Sequence, residues 1–287
     1  MLFTRLLTLS TLLFTTISPA FGQGILLTGH VQAQAAKASI PFVNIGIKGK
    51  NIGTAADENG EYSLFIPPNL VNDTLTFSAI GFQEQAVAIA KIASSRQHTI
   101  ILVEKATALN EVVVLGRLGK VRRIGTTTHN PVLWGRVVSN ETHDIVEFVK
   151  LIPLGNIPSD LMQAHIFLRY PTVDTVAFRL NFYRATQGFP AERLVERTIL
   201  VRTAIQNGWL TIDLTKYALT MQANFFIGFE FLPGKKPAEP APKKTFAAPI
   251  FSYGGQFGGA AISRTSSLGD WKREPGASLS AYVTVRQ

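Results

Sequence analysis

The chain has 287 residues, a formal net charge of +9 and no cysteine, so disulfides and thiolate chemistry are excluded. Apolar residues make up 46% of the chain and charged residues 16%, a balance that excludes extensive disorder. The cations are spread along the sequence. This spread argues against nucleic acid as a partner and favours a solvated surface, an anionic glycan or a lipid surface.

The first 22 residues have the pattern of a secretory signal peptide. Arg5 precedes an apolar run over residues 6–17, and Ala20 and Gly22 suit a signal-peptidase site before Gln23. The run is short for a membrane helix; an uncleaved anchor or a first core strand is the alternative. No later segment has the length and apolarity of a membrane helix. We therefore expect an exported protein, located in the periplasm or at the outer membrane, with no transmembrane segment after cleavage.

Residues 39–66 carry the clearest local pattern. Apolar residues alternate with polar residues or glycine on both sides of a turn, namely Val43, Ile45 and Ile47 before it and Tyr62, Leu64 and Ile66 after it. The turn is residues 57–60, where Asn59 and Gly60 readily adopt left-handed backbone. The pattern predicts two half-buried strands paired as a hairpin. A calcium loop at Asp57 is the alternative, but the remaining EF-hand ligands are missing, which favours a plain turn.

The same stretch resembles the carboxypeptidase-regulatory-like domain. The residues that match the family's pattern are Pro41, Asn44, Gly49, Gly53, Thr54, Asp57, Gly60, Tyr62 and Leu64, followed later by Phe77, Ser78, Gly81 and Phe82. The resemblance implies a seven-strand, transthyretin-like β-sandwich, which we assign to residues 23–116. It implies a fold and no particular function.

Residues 109–116 are similar to the segment that ends the same domain in TonB-dependent receptors of Bacteroidota. The sequence is too short for the plug and barrel of such a receptor, so we expect these residues to form the last strand of the first domain. Recruitment by an energy transducer through residues 111–115 is the alternative. Residues 117–140, rich in cations and glycine, are predicted to be a linker.

From residue 141 to residue 287 the alternation becomes longer and more aromatic. In residues 176–183 and 225–231 one face is almost entirely aromatic or aliphatic. About eight strands with almost no helical periodicity predict a jelly-roll-like β-sandwich. The Pro- and Lys-rich residues 233–249 are predicted to be an exposed loop within this domain, and the glycine-rich residues 253–261 a second loop. The predicted fold class is therefore all-β, with two sandwiches in succession.

A ligand-binding face of the second domain follows from the pleat of its strands. Aromatic and hydrogen-bonding side chains share strand faces, and the candidate ligand residues among them are Arg169, Arg179, Tyr183, Trp209 and Asp213. If these faces lie on one side of one sheet, they combine an aromatic platform with polar groups, as β-sandwich modules that hold sugar rings do. The competing interpretation is an amphipathic outer sheet whose aromatic residues cover the core.

The common signatures of enzymes are missing. The sequence has no nucleophile elbow, no H-E-x-x-H, no P-loop and no dinucleotide fingerprint. His143 and Glu147 lie one residue too far apart for the metal pair of a zinc carboxypeptidase. The dispersed histidines do not predict a metal site, and no cofactor is predicted. Carboxylates that tertiary structure could bring together for glycoside hydrolysis are Asp144, Glu147, Asp213 and Glu230.

These observations predict a non-catalytic, exported envelope protein that acts as a binding or scaffolding module for an envelope protein or a glycan. Three alternatives stay open: a carbohydrate-binding module, an accessory partner of a TonB-dependent system, and a hydrolase with unrecognised carboxylates. The sequence does not predict the oligomeric state.

Overall fold

A computed structural model describes residues 24–94, 98–105, 119–138, 144–169, 175–204, 206–232 and 249–287. The predicted signal peptide, the strand predicted at residues 109–116 and all but the last residue of the loop predicted at 233–249 lie outside these ranges. The described residues form two β-sandwich units, which confirms the all-β fold class.

The first unit is built from seven strands among the described residues. They are β1 (Ile25–Ala33), β2 (Asn44–Gly46), β3 (Gly53–Ala55), β4 (Glu61–Ile66), β5 (Thr74–Ser78), β6 (Gln85–Ala88) and β7 (His98–Leu102). A 3₁₀ turn at Pro68–Leu70 and the short helix α1 (Ile89–Ile92) complete it. The strands form a three-stranded sheet in the order β4-β1-β7 and a four-stranded sheet in the order β3-β2-β5-β6. Seven strands in two sheets agree with the fold that the family resemblance implies.

The hairpin predicted across residues 39–66 is wrong in its pairing. β2 pairs with β3 in one sheet, whereas β4 pairs with β1 in the other. The predicted turn at residues 57–60 exists, with Gly60 at φ +79°, but it carries the chain from one sheet to the other. Alternation within each strand was read correctly, since Val43, Ile45 and Leu64 lie in the core between the sheets. The pairing depends on which sheet each strand joins, and local pattern does not encode that choice.

The second unit is built from thirteen strands among the described residues, more than the eight predicted. They are β8 (Val121–Gly125), β9 (Trp134–Val138), β10 (Val146–Ile152), β11 (Ser159–Arg169), β12 (Thr175–Thr186), β13 (Phe189–Arg193), β14 (Ile199–Ala204), β15 (Gly208–Asp213), β16 (Thr220–Met221), β17 (Phe225–Phe231), β18 (Pro249–Arg264), β19 (Lys272–Leu279) and β20 (Ala281–Arg286). A 3₁₀ turn at Thr215–Tyr217 precedes β16.

These strands form two faces that share one long strand. What we call the β12 sheet contains β10, β12, β13, β14, β17, β19 and the second half of β18; what we call the β11 sheet contains β8, β9, β11, β15, β16, β20 and the first half of β18. Aromatic residues of the β12 sheet, including Phe178 and Phe229, pack against aliphatic residues of the β11 sheet, including Ile166 and Val283, to form the core. The long side chains of β12 and β17 therefore fill the space between the sheets.

Two predicted loops are strands in the structure. The predicted linker at residues 117–140 contributes β8, which pairs with β20, and β9, which pairs with β18. The glycine-rich residues 253–261 lie within β18, where a register shift between Phe257 and Ala260 accommodates Gly258 and Gly259 at positive φ. Both segments were misread because they are polar or glycine-rich, and their pairing comes from partners distant in sequence. In the part of the chain that the structure describes, no helix has the length and apolarity needed to cross a bilayer.

Candidate functional site at the interface of the two sandwiches

The first sandwich packs against the outer face of the β12 sheet through β2 and β3. An apolar cluster at this interface contains Phe42 and Ala55 from the first unit and Ile145 and Leu232 from the second. Asn44 on β2 is only 2% exposed, although the alternation had placed it on a solvent-facing side of its strand. The outer face of β2 is therefore buried between the two units.

Glycines let the two units approach closely. A Cβ added to Gly46 would lie 2.3 Å from the backbone oxygen of Ser267, and one added to Gly53 would lie 2.8 Å from a carboxylate oxygen of Asp144. Gly46 and Gly53 are cross-strand partners on β2 and β3. A side chain at Gly46 would force the backbone of β2 or of the Ser267 loop to move. The glycines of β2 and β3 therefore allow the two units to approach this closely.

Glu230 is the centre of one half of a buried polar network at this interface. Its carboxylate accepts bonds from Arg179 Nε at 2.7 Å and Nη2 at 2.9 Å, which is a two-point pairing. Asn44 Nδ2 donates to the same carboxylate at 2.9 Å, and Arg179 Nη2 donates to Asn44 Oδ1 at 3.0 Å. Arg179 Nη1 also donates to the backbone oxygen of Phe42 at 3.1 Å. The first sandwich thus supplies two acceptors and one donor to an ion pair of the second.

Glu147 is the centre of the other half. Tyr183 donates its hydroxyl to Glu147 Oε1 at 2.9 Å, and Arg264 donates to Glu147 Oε2 through Nε at 2.8 Å and pairs with it through Nη2 at 2.6 Å. Asn181 Nδ2 joins the halves by donating at 2.8 Å to both Glu147 and Glu230. The two glutamates face each other as cross-strand partners on β10 and β17.

The network's position inside the sheet depends on Gly228. A Cβ at this residue would lie 2.4 Å from Glu147 Oε1 and 3.1 Å from the ring of Tyr183. Gly228 sits opposite Asn181 and Val149 on the neighbouring strands. The absence of a side chain therefore creates the space that the Glu147 carboxylate occupies.

The four charges of the network compensate one another. Glu147 and Glu230 are 0% exposed, Arg179 3% and Arg264 8%. Burial alone would raise the pKa of Glu230, but the paired guanidinium of Arg179 outweighs it and holds that pKa well below its usual range. Burial alone would lower the pKa of Arg179 and Arg264, and their carboxylate partners raise both instead. Burial, with the Glu147 charge, raises the pKa of Tyr183, so its hydroxyl stays protonated and donates.

Two of the carboxylates considered for glycoside hydrolysis, Glu230 and Asp144, have pKa values shifted in opposite directions. A glycosidase needs one carboxyl whose pKa is raised so that it can donate a proton, and the pKa of Glu230 is shifted in the opposite direction. Asp144 has a pKa raised by burial, but its oxygens accept bonds from the backbone N–H groups of Ser267, at 2.9 Å, and Ile145, at 2.8 Å. It anchors the loop before β19 to the start of β10.

The five candidate ligand residues lie in two separate places. Arg179 and Tyr183 belong to the buried network on β12, whereas Arg169, Trp209 and Asp213 lie on the outer face of the β11 sheet. Phe167 is the cross-strand partner of Trp209, and Gln163 that of Asp213. Trp209 and Asp213 are four residues apart on one strand, roughly 13 Å. The alternation on β12 resembles that on β11, but the first sandwich covers only the β12 face.

The outer face of the β11 sheet carries a chain of ring contacts. His129 stacks on Phe167 at 3.7 Å between centroids, Phe167 meets the edge of Trp209 at 5.4 Å, and Trp209 meets Tyr282 at 5.0 Å. Tyr282 in turn stacks on His165 at 4.1 Å. A cleft of about 240 Å³ lies at the His129 end of this chain.

His165 lies within the same face as a neutral side chain. Its ring nitrogens bond to Thr211 and Thr284, both at 2.9 Å. Burial, with a smaller contribution from Arg123, lowers the pKa of His165 to about 4. Among the described residues no group of three or more His, Asp or Glu side chains is placed to hold a metal ion.

The hydrogen bonds of Asp57, the candidate calcium ligand, favour a plain turn over a calcium loop. Its Oδ1 accepts the backbone N–H of Asn59 at 2.8 Å and that of Glu61 at 2.9 Å. These bonds occupy the carboxylate within its own turn.

Comparisons with known proteins agree with the architecture of the first unit. Residues 27–114 match the family model of the CarboxypepD_reg-like domain. This match confirms the resemblance seen in the sequence. A segment of 90 residues, 31% of this chain, is 30% identical to a TonB-dependent receptor, P3, of Formosa agariphila, and it spans 8% of that receptor's length.

The second unit is left unassigned by these comparisons. Solved structures of infectious bursal disease virus are similar over most of this chain: the Gx strain over 91% of this chain and 59% of the viral chain, with 11% identity and a TM-score of 0.24. A T13 particle of the same virus covers 91% and 60%, with 10% identity and a TM-score of 0.26. Scores this low carry no argument about fold or function.

One feature of the sequence, a single charge in an otherwise apolar strand, indicates the buried network. Glu230 stands in a strand, residues 225–231, whose other members are apolar or glycine, so neither face of that strand suits an exposed charge. A charge in such a strand requires a buried partner. Asn44 was noted as a family motif residue, but its partners, Arg179 and Glu230, lie more than 130 positions away and could not be read from local pattern.

Proposed function

We propose that this protein is a non-catalytic module of the cell envelope that binds or scaffolds other envelope components, and that its two sandwiches work as one rigid body. The observation that carries this proposal is the buried network through which Asn44 of the first sandwich completes the Arg179–Glu230 ion pair of the second. A rigid body of this kind presents surfaces of both units in a fixed relation.

The energetics of the network support rigidity. Separating the units would remove Asn44 and the Phe42 carbonyl from a buried guanidinium and expose the ion pair to water. Buried polar groups bond with a defined geometry, so alternative orientations of the units would leave donors and acceptors unpaired, at about 1–3 kcal/mol for each. The exposed pairs Lys105–Glu196, at 3.1 Å, and Arg202–Glu58, at 2.5 Å, also join the two units, with weaker effect.

The absence of catalysis is proposed on chemical grounds. Glu147 and Glu230 lie opposite each other on neighbouring strands. Each forms a buried ion pair with an arginine side chain. The family match of the first unit is to a regulatory-like domain and not to a catalytic one.

The envelope location is proposed on two grounds. One is the signal-peptide pattern of residues 1–22. The other is the similarity of the first unit to a segment of a protein named TonB-dependent receptor P3, which agrees with the resemblance of residues 109–116 to TonB-dependent systems. A role beside such a system fits both grounds.

Export is tested by expressing the full chain with a C-terminal tag, fractionating the cells and sequencing the N-terminus by mass spectrometry. We expect a mature N-terminus at Gln23 in the periplasmic or outer-membrane fraction. An Ala20→Arg variant is the control, and it should accumulate as the uncleaved precursor because signal peptidase requires a small residue there. Recovery of the unprocessed parent protein in the cytoplasm would overturn the envelope assignment.

Rigidity is tested by measuring the distance between spin labels on the two units. The chain has no cysteine, so Thr99→Cys on β7 and Glu274→Cys on β19 give two unique attachment sites at exposed positions. We expect one narrow distance distribution, broadened by Asn44→Leu and unchanged by the matched Asn69→Leu at an exposed position. A broad distribution in the parent would sink the rigid-body proposal.

A further inference from the structure

The cleft of about 240 Å³ on the β11 sheet is lined by His129, Phe167, Arg169, Asn207 and Gly208. It combines stacked rings, a guanidinium, an amide and an exposed turn. Neither half of the interface network contributes to it. The lining residues that the structure describes include one guanidinium, that of Arg169, and no carboxylate.

The walls of the cleft are held in place by backbone bonds. The loop that carries His129 is fixed to β18 by Asn130 N–H donating to the Gly255 oxygen at 2.8 Å and by Gly255 N–H donating to the Leu133 oxygen at 3.0 Å. Asn130 Oδ1 accepts the Val132 N–H at 2.9 Å. Arg169 Nη1 donates to the Pro131 oxygen at 2.6 Å, which sets the guanidinium against this loop.

The other wall is part of the sheet itself. Phe167 is held on β11 opposite Trp209, and Gly254 lies so close that an added Cβ would be 2.8 Å from the Phe167 ring. The half-exposed Trp209 follows directly on the turn at Asn207 and Gly208. A planar stack of His129 on Phe167 thus stands beside a wider aromatic strip.

We propose that this cleft binds one residue of an acidic sugar, that is, a pyranose carrying a carboxylate or sulfate group. The guanidinium of Arg169 pairs with the oxyanion, and the Asn207 amide bonds to ring hydroxyls. The partly exposed rings of His129 and Trp209, which flank the buried Phe167, pack against the apolar face of the sugar. Planar guanidinium groups suit carboxylate and sulfate oxygens because their N–H donors are arranged in a fork. The mature chain keeps a formal net charge of +8 after Arg5 is removed with the signal peptide, which adds long-range attraction for polyanionic chains.

The size of the cleft limits the ligand. Pockets for drug-sized molecules measure roughly 300–1,000 Å³, so this smaller cleft suits one sugar ring, with the rest of a chain lying along the aromatic strip toward Trp209. The inference deepens the proposed binding function, on which it rests, by assigning a ligand class to one face.

The test uses three probes of similar length: an oligogalacturonate, which carries carboxylates, a sulfated galactan oligosaccharide and a neutral galactan oligosaccharide. Binding to the mature protein is measured by titration calorimetry at fixed salt. We expect saturable binding of at least one acidic probe, at least about tenfold tighter than binding of the neutral probe. The two acidic arms show whether carboxylate or sulfate is the preferred group.

Variants locate the site. Arg169→Ala should weaken binding of the acidic probe by at least about tenfold, whereas Arg197→Ala, which removes an exposed arginine between β13 and β14, should leave it nearly unchanged. Since loss of Arg169 could release the loop from residue 126 to residue 133, Asn207→Asp provides a second test. It adds a negative charge to the cleft and should weaken acidic probes selectively.

The proposal is overturned if no acidic probe binds, if the neutral probe binds as tightly, or if Arg197→Ala weakens binding as much as Arg169→Ala. The last result would show non-specific attraction to a basic surface. These outcomes leave export and rigidity untouched, and failure of the fractionation or spin-label experiments would leave glycan binding in place. The two proposals therefore fail separately.

Discussion

The two outer faces of the second sandwich have similar residue patterns in the sequence but different surroundings in the structure. On β12, Arg179 bonds to Phe42 and Asn44 of the first sandwich, and Arg179, Asn181 and Tyr183 are buried in one polar network. On β11, His165 and Phe167 are also buried, under the stacked rings of Tyr282 and His129, and a cleft lies beside Arg169. Alternation along a strand thus identifies which side chains share a face, and distant residues decide whether that face is covered by another unit or by rings of its own sheet.

The largest effect on stability should come from removing one charged side chain of the buried network. Glu230→Leu leaves the Arg179 guanidinium buried without its counter-ion, and we expect a loss of about 3–5 kcal/mol in the free energy of unfolding. Urea denaturation followed by tryptophan fluorescence measures this change.

The matched control for that variant is Glu192→Ala, which removes the partner of Arg184 from an exposed ion pair. It should leave the denaturation midpoint unchanged. Equal losses in the two variants would mean that the network contributes no more than a surface ion pair.

A smaller effect should follow from forcing the two units apart. Gly46→Ala places a methyl group 2.3 Å from the Ser267 backbone oxygen. The backbone at residue 46 or at Ser267 must therefore shift. We expect a loss of about 1–3 kcal/mol, with the single unfolding transition splitting into two as the units lose their coupling. Calorimetry resolves this, with Ala86→Val on the exposed part of β6 as the control. A single transition at the parent's temperature would show that the glycine is dispensable.

The open face should respond to pH through His165. Its pKa is lowered from 6.5 to about 4 in the folded protein, so between these values the unfolded chain binds a proton that the folded chain does not. Stability should therefore fall as pH falls from 6.5 to 4, by at most about 3 kcal/mol.

The covered face should respond in a different window. Because the pKa of Glu230 is lowered from 4.5, its contribution is present above that value and is lost as the pH falls further below it. Glutamine does not titrate, so His165→Gln should remove the fall in stability between pH 6.5 and pH 4. The loss of stability that comes from Glu230 below pH 4.5 should remain. Unfolding free energies measured from pH 7 to pH 3 test both parts, and an unchanged slope in the variant would remove His165 from the account.

The smallest expected effect concerns Arg123, which lies 6.0 Å from the centre of the Tyr282 ring. Arg123→Ala should cost less than about 1 kcal/mol, because an exposed cation–π contact contributes little. It should also raise the pKa of His165, since the positive charge of Arg123 helps to lower it. An NMR titration of the His165 ring protons measures the shift; a pKa that falls instead would contradict the charge effect.

The elements that sequence predicted well are those whose environment is local. The turn at Asp57 and Gly60 is specified by residues that bond within four positions of each other. β17 and β12 have aromatic faces that require a core whatever covers their other sides. The resemblance in residues 27–114 supplied the first sandwich because its motif residues set turns and buried positions.

The elements that sequence missed depend on distant partners. β8, which reads Val-Arg-Arg-Ile-Gly, has no apolar alternation and becomes a strand by pairing with β20, more than 150 residues away. Asn44 looked like a surface residue until the second unit covered it. The division of Arg179 and Tyr183 from Arg169 and Trp209 follows from which sheet each strand joins, and a single sequence gives no distances between strands.

β18 connects the two faces by covalent backbone. Its 16 residues, roughly 50 Å of extended chain, begin beside the open cleft and end at Arg264, a member of the buried network. Tension applied along the chain at one face would therefore reach the other through a single ribbon, loading the cross-strand hydrogen bonds of β9, β10, β11 and β19 in shear.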